Sequence, residues 1–98
     1  MQLYAIRRRD GWATPADLAA AAERSKDVAE NDVPGTVRWI RSYVVAEDGG
    51  SLGTICIYEA VSPEAIRDHA ARVGMPADEI TAVADTVIVR PDPQPVAA

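Results

Sequence analysis

One histidine, one cysteine and a few placed carboxylates limit the chemistry open to this chain. His69, Glu59 and Cys56 are the candidate metal ligands, because imidazole nitrogen, carboxylate oxygen and thiolate suit borderline divalent ions such as nickel or zinc. Glu59 falls near the expected end of a strand and His69 well inside the helix that follows. At ~3.3 Å per strand residue and ~1.5 Å per helix residue, the two lie at similar depth, roughly 7–10 Å from the connecting turn. The plainer reading is a histidine oriented by an acid at the edge of the core. Cys56, likewise, is read first as a small hydrophobe in mid-strand. These residues do not complete a metal site from one chain; water, backbone carbonyls, further carboxylates or a second subunit would have to.

A second constellation is aromatic. If the hairpin centres on Gly49-Gly50, side-chain alternation sets Trp39, Arg41, Tyr43, Cys56 and Tyr58 on one face. Ile40, Ser42, Val44, Ile55, Ile57 and Glu59 fall on the other. The aliphatic set is expected beneath the helices, where each buried Ile or Val contributes on the order of 2 kcal/mol. That leaves the aromatic set on the open sheet face, as a pocket for a small anionic or aromatic ligand or as an interface. Glycine-rich phosphate loops, CxxC, HExxH and GxSxG patterns are absent from the sequence, so nucleotide, redox and hydrolase chemistry have no support.

The elements that position these residues follow one grammar, used twice. Leu3–Arg8 reads as a strand. Thr14-Pro15-Ala16-Asp17 is a helix start, with a capping hydroxyl, proline at the first helical position and an acid in the first turn. The helix runs to about Glu30 with Leu18, Ala21, Ala22, Ser25, Val28 and Ala29 on one stripe. Pro34-Gly35 turns the chain into a strand from Val37 to Glu47, and Asp48–Ser51 forms the hairpin to a strand from Leu52 to Val61. Ser62-Pro63-Glu64 repeats the helix start. The second helix carries Ile66, His69, Ala70 and Val73 on its stripe and ends at Gly74, expected in the left-handed region. Ile80–Val89 is the last strand. This βαββαβ order predicts an α+β, ferredoxin-like sandwich: a four-stranded antiparallel sheet with two helices on one face, filling residues 1–90. Three prolines in Pro91–Ala98 predict a disordered tail.

Composition narrows the partners. A formal charge of −5 argues against nucleic acid, and the one basic run, Arg7-Arg8-Arg9, is too short to change that. Apolar runs are too short for a membrane helix, and MQLYAIRRR lacks a signal-peptide pattern. With a single Cys there is no intrachain disulfide, so a cytoplasmic setting is expected. The core should be thin, with no Phe and much Ala, which favours a homodimer through the open face.

At VRWIRSYVVAEDG and CIYEAVSPEAIRDHAARVGMPADEIT the chain resembles a family of small bacterial ferredoxin-like proteins, formerly a domain of unknown function, that includes a nickel-binding, dimeric member. The carrying residues are Trp39 with Ser42-Tyr43, Cys56 with Tyr58-Glu59-Ala60, and His69-Ala70 before Gly74. The resemblance implies a ferredoxin-like dimer and, as one candidate property, the binding of nickel or another divalent transition metal. The leading expectation is therefore a cytoplasmic homodimer that binds nickel without catalysis. The alternative is a dimeric α/β-barrel enzyme or small-molecule-binding module.

Overall fold

A computed structural model describes residues 1–94. Its strands and helices follow the expected order: β1 (Gln2–Trp12), α1 (Pro15–Asp27), β2 (Val37–Ala46), β3 (Leu52–Ala60), α2 (Pro63–Val73) and β4 (Glu79–Ala82). The sheet is antiparallel in the order β2-β3-β1-β4, the ferredoxin-like arrangement. Both helices begin as their sequences dictate. Thr14 Oγ1 accepts the Asp17 amide at 3.1 Å and Ser62 Oγ accepts the Ala65 amide at 3.1 Å. Gly74 takes φ 83°, and its amide donates to the Ala70 carbonyl at 2.8 Å. Helix α1 continues as one wide π turn over Val28–Asp32 before the chain enters β2. Among the described residues, no helix is long and apolar enough to cross a membrane.

The register of the central hairpin differs from expectation by one residue, and that reverses the assignment of its faces. Ala46 pairs with Leu52, Tyr43 with Ile55 and Arg41 with Ile57. The five-residue turn Glu47–Ser51 is closed by Glu47 and Ser51, with Gly50 at φ 90°. A one-residue slip exchanges every inward side chain for an outward one. Ile40 is then inserted as a bulge between Trp39 and Arg41, so the parity of β2 switches at that point. The outcome is a correction: Trp39, Cys56 and Tyr58 lie on the helix side, together with Ser42. Arg41 and Tyr43 remain on the open face, beside Ile55, Ile57 and Glu59. The core is consequently aromatic and polar as well as aliphatic. Tyr4, Ile6, Val37, Cys56, Tyr58, Ala60 and Ile66 form it, and Arg8 and His69 are buried among its neighbours.

Strand β4 is shorter than the expected Ile80–Val89. Tyr4 pairs with Ala82 and Ile6 with Ile80, so continuing this antiparallel register would bring Ala84 opposite Gln2, where β1 begins. Beyond Val83, whose amide still donates to Leu3, β1 offers the chain almost nothing further to pair with. The chain crosses the open sheet face instead, and Asp92 accepts from Arg41 Nη1 at 3.0 Å and from the Tyr43 hydroxyl at 2.8 Å. Pro91–Gln94 carry no regular structure, and the remainder of the expected tail, residues 95–98, lies outside the described residues.

Strand β1 bends inward past Arg8 through a bulge in which Asp10 adopts φ 50°, a conformation that Asp tolerates better than most residues. Glu47 pins this bend: Oε1 accepts from Arg7 Nη2 at 2.7 Å and Oε2 accepts the Asp10 amide at 2.8 Å. Gly53 makes room for it. A Cβ at that position would stand 2.6 Å from the Arg8 carbonyl oxygen and 2.6 Å from Glu47 Oε2. Gly53→Ala should therefore lower stability by about 1–3 kcal/mol in urea unfolding. Gly35→Ala, where a Cβ meets no atom within 4 Å, should leave the unfolding midpoint nearly unchanged.

Candidate functional site

The site lies between α1 and the inner face of the sheet, where Ala-rich helix packing leaves space. Ala19, Ala21 and Ala22 present only methyl groups toward β2 and β3, and a cavity of about 230 Å3 results. Both tryptophans, Trp12 and Trp39, contribute to its wall, with Arg8, Cys56, Tyr58 and Met75. The β1 bulge brings Trp12 round to this side.

Tyr58 is the hub of the wall. Its ring stacks near-parallel on Trp39 with centroids 6.1 Å apart and tilts against His69 at 5.5 Å. Its hydroxyl shares a 2.9 Å hydrogen bond with Ser25 Oγ of α1. Burial raises its pKa above that of an ordinary phenol, so it stays protonated. Ser42 Oγ accepts from Trp39 Nε1 at 2.8 Å, and Thr54 Oγ1 lies 3.2 Å from Cys56 Sγ. Ser25 and Tyr58 thus share one hydrogen bond, and Ser42 and Thr54 each accept one.

Two buried nitrogens lack a hydrogen-bond partner among the described residues. Arg8, only 1% exposed, donates from Nη1 to the Pro76 carbonyl at 2.8 Å, while Nη2 has no hydrogen-bond partner among the described residues. Its guanidinium carbon sits 5.9 Å from the centre of the Tyr58 ring. The second is His69 Nδ1. His69 Nε2 lies 3.1 Å from the Ser25 carbonyl oxygen, which can only accept, so Nε2 carries the proton and Nδ1 presents a lone pair. Desolvation depresses the His69 pKa first of all; the Ser25 carbonyl opposes this, and the charge on Arg8 adds to the lowering.

The expected metal residues do not converge. Glu59 is on the opposite side of the sheet from His69, where its carboxylate meets Arg38 Nη1 at 3.4 Å. Cys56 is buried on the inner face and bonded to Thr54. Among the described residues there is no group of three or more His, Cys, Asp or Glu side chains able to hold a metal ion. The donor set of one chain therefore does not fit nickel, and the cation at Arg8 works against a second positive charge there. Sequence reasoning missed Arg8 and Trp12. Parity along β1 held the missing signal, since Arg8 shares its side with the apolar Tyr4 and Ile6.

Residues 4–83 match the family described as "Nickel responsive protein SCO4226-like". The fold is also that of the crystal structure of SCO4226 from Streptomyces coelicolor A3(2), at TM-score 0.69 and 23% identity over 87% of this chain and 99% of that one. No curated protein matches the chain.

Because the folded-state pKa of His69 is lowered, the folded protein binds fewer protons at this site than the unfolded chain does. The contribution is fully present above the unfolded value near 6.5 and is lost as pH falls below it. Thermal melts between pH 7 and 5 should therefore show stability declining with acidity. His69→Leu should flatten that decline over the same window, and an unchanged slope would mean that His69 does not titrate with unfolding.

Proposed function

The chain belongs to the SCO4226-like family of nickel-responsive proteins, and from that premise we propose that it is a homodimeric small-molecule-binding protein whose ligand occupies the cavity between α1 and the sheet. The observation that carries this reading is the cavity itself. It is an apolar, tryptophan-lined cleft, open to solvent beside Ala19 and Val44 and large enough for one ring, engineered apolar cavities of about 150 Å3 being able to take up benzene. Toluene is a neutral test of shape alone. At ten times its Kd it should stabilise the protein by roughly 1.4 kcal/mol, which for a domain of this size is a rise of about 5–10 °C in Tm. Ala22→Leu, which fills the cavity, should abolish the rise; no rise in the unsubstituted protein would remove the reading.

The homodimer is supported by the outer face. Ile40, Tyr43 and Ile55 are exposed there, and Val87, Ile88 and Val89 of the crossing segment are 87%, 74% and 82% exposed. An apolar surface of this kind ordinarily meets a partner, and a second copy offers the same surface in return. Nickel binding is the second reading. Family membership and the lone pair of His69 Nδ1 support it; because His69 is fully buried, α2 has to shift before water or the other copy can add the remaining donors. One set of samples tests both. Sedimentation equilibrium should give a dimer that Ile55→Glu converts to monomer. Calorimetric titration with nickel should give heat that His69→Leu removes. A monomer throughout would end the homodimer, and no heat, or heat indifferent to His69, the nickel reading.

A further inference from the structure

Val87-Ile88-Val89 is a strand-forming run that is not in a strand. Valine and isoleucine favour the pleated, half-covered surface of a sheet, yet all three are almost fully exposed here, so neither face of the run is covered. Among the described residues, 84–92 make no backbone-to-backbone hydrogen bond, and the Thr86 amide turns to the neighbouring Asp85 carboxylate at 2.8 Å. The chain's own sheet is not what this run fits. From Val83 to Asp92 it can reach about 30 Å at ~3.3 Å per residue, whereas β4 to β2 is about 14 Å across at ~4.8 Å per strand. It arches over the sheet and leaves a solvent-open gap of about 1030 Å3 above Leu3, Tyr43 and Ile57. When it reaches its own β2, at Asp92, the apolar run lies behind it, and Pro91 and Pro93 bring no ladder donors.

The sheet carries the complement. Among the described strands β2 pairs with β3 alone, so the other edge of its 10 residues presents unpaired amides and carbonyls. Ile40 and Val44 stand exposed on it. An uncovered apolar edge of this length is what extended segments add to. We propose that residues 86–90 of each copy pair as an added strand along the free edge of β2 in a second copy, so that the homodimer exchanges its C-terminal segments. The proposal rests on the homodimer reading above and names what holds it together. A two-fold axis makes the exchange reciprocal, each copy giving one strand and receiving one. Charge agrees, since Asp85 and Asp92 flank the run while Arg38 and Arg41 stand on β2. The contact of Asp92 with Arg41 and Tyr43 already shows that the end of the segment fits β2. That ion pair is half exposed and holds the segment weakly, so moving it to the same two residues of the second copy costs little.

The test is amide hydrogen exchange, followed by NMR on the full-length protein at a concentration where sedimentation gives a dimer. The amides of Val87, Ile88 and Val89, and those of β2 that do not bond to β3, should exchange at least tenfold more slowly than unstructured chain. In the monomer made by Ile55→Glu the same amides should lose that protection. The double variant Val87→Pro/Ile88→Pro removes a ladder amide whichever way the strand is turned, and should weaken the dimer at least tenfold. Val87→Thr/Ile88→Thr keeps both amides and should weaken it less. Fast exchange at residues 87–89 in a protein that is a dimer would overturn the strand exchange and leave the homodimer standing. Protection of 87–89 without the free edge of β2 would also overturn it, because the two segments would then be pairing with each other. A protein monomeric throughout would overturn the homodimer and this proposal with it. The exchange rates of the unsubstituted protein decide even if the proline variant does not fold.

Discussion

Tyr58 joins every layer of this protein. From β3 its hydroxyl reaches α1 through Ser25, and its ring meets β2 through Trp39, α2 through His69 and β1 through Arg8. A tyrosine can hold this position because it is both a large apolar body and a hydrogen-bonding tip. The core around it is thin in aliphatic mass, with no Phe and with alanine along the inner side of α1. The space an ordinary core would fill with leucine is here taken partly by ring stacking and left partly open. The cavity and the hub therefore have one origin.

That arrangement exists because of one residue of register. With the hairpin pairing slipped by one, Tyr58 and Cys56 would look outward and Ile55 and Ile57 would fill the interior, a core more conventional on hydrophobicity alone. The observed register is fixed from outside the core. Glu47, the first residue of the turn, is committed to Arg7 and to the Asp10 amide, and Gly53 lets β1 come close enough for both contacts. The Ile40 bulge then returns Trp39 to the inner side, opposite Tyr58. A polar clamp at one end of the hairpin and an inserted residue at the other thus decide what the interior contains.

This also explains what could be read from the sequence and what could not. The order of elements, both helix starts, the Gly74 stop and the buried stripe of α2 all depend on contacts within a few residues, and each was legible. The same stripe correctly buries His69. The faces of β2 and β3 depend on a turn whose length is set by a long-range ion pair and on a bulge with no local signature, so the aromatic set was placed outward and Glu59 was set beside His69. The end of β4 was illegible for a similar reason: Ile80–Val89 has strand-like composition throughout, and only the point where β1 begins ends the pairing. Arg8 was overlooked because three consecutive arginines look like a solvated basic run until alternation separates them.

The separation of the arginines bears on the chemistry of the family as this chain carries it. A divalent ion within ~10 Å of a fixed unit charge is repelled by roughly 3 kcal/mol at an effective dielectric of ~20. Arg8 is close enough to His69 to lower its proton affinity, and a metal at Nδ1 would feel the same sign of field. The inner face of this sheet is therefore biased toward anions by its own strand β1. The carboxylates that could balance a metal are turned to the outer face, where Glu59 serves Arg38 and Asp92 serves Arg41 and Tyr43. Charge has been sorted by side: acids outward, the unpaired cation inward. In a chain that places its only histidine next to that cation, a nickel response has to draw its remaining donors from beyond the fold's interior.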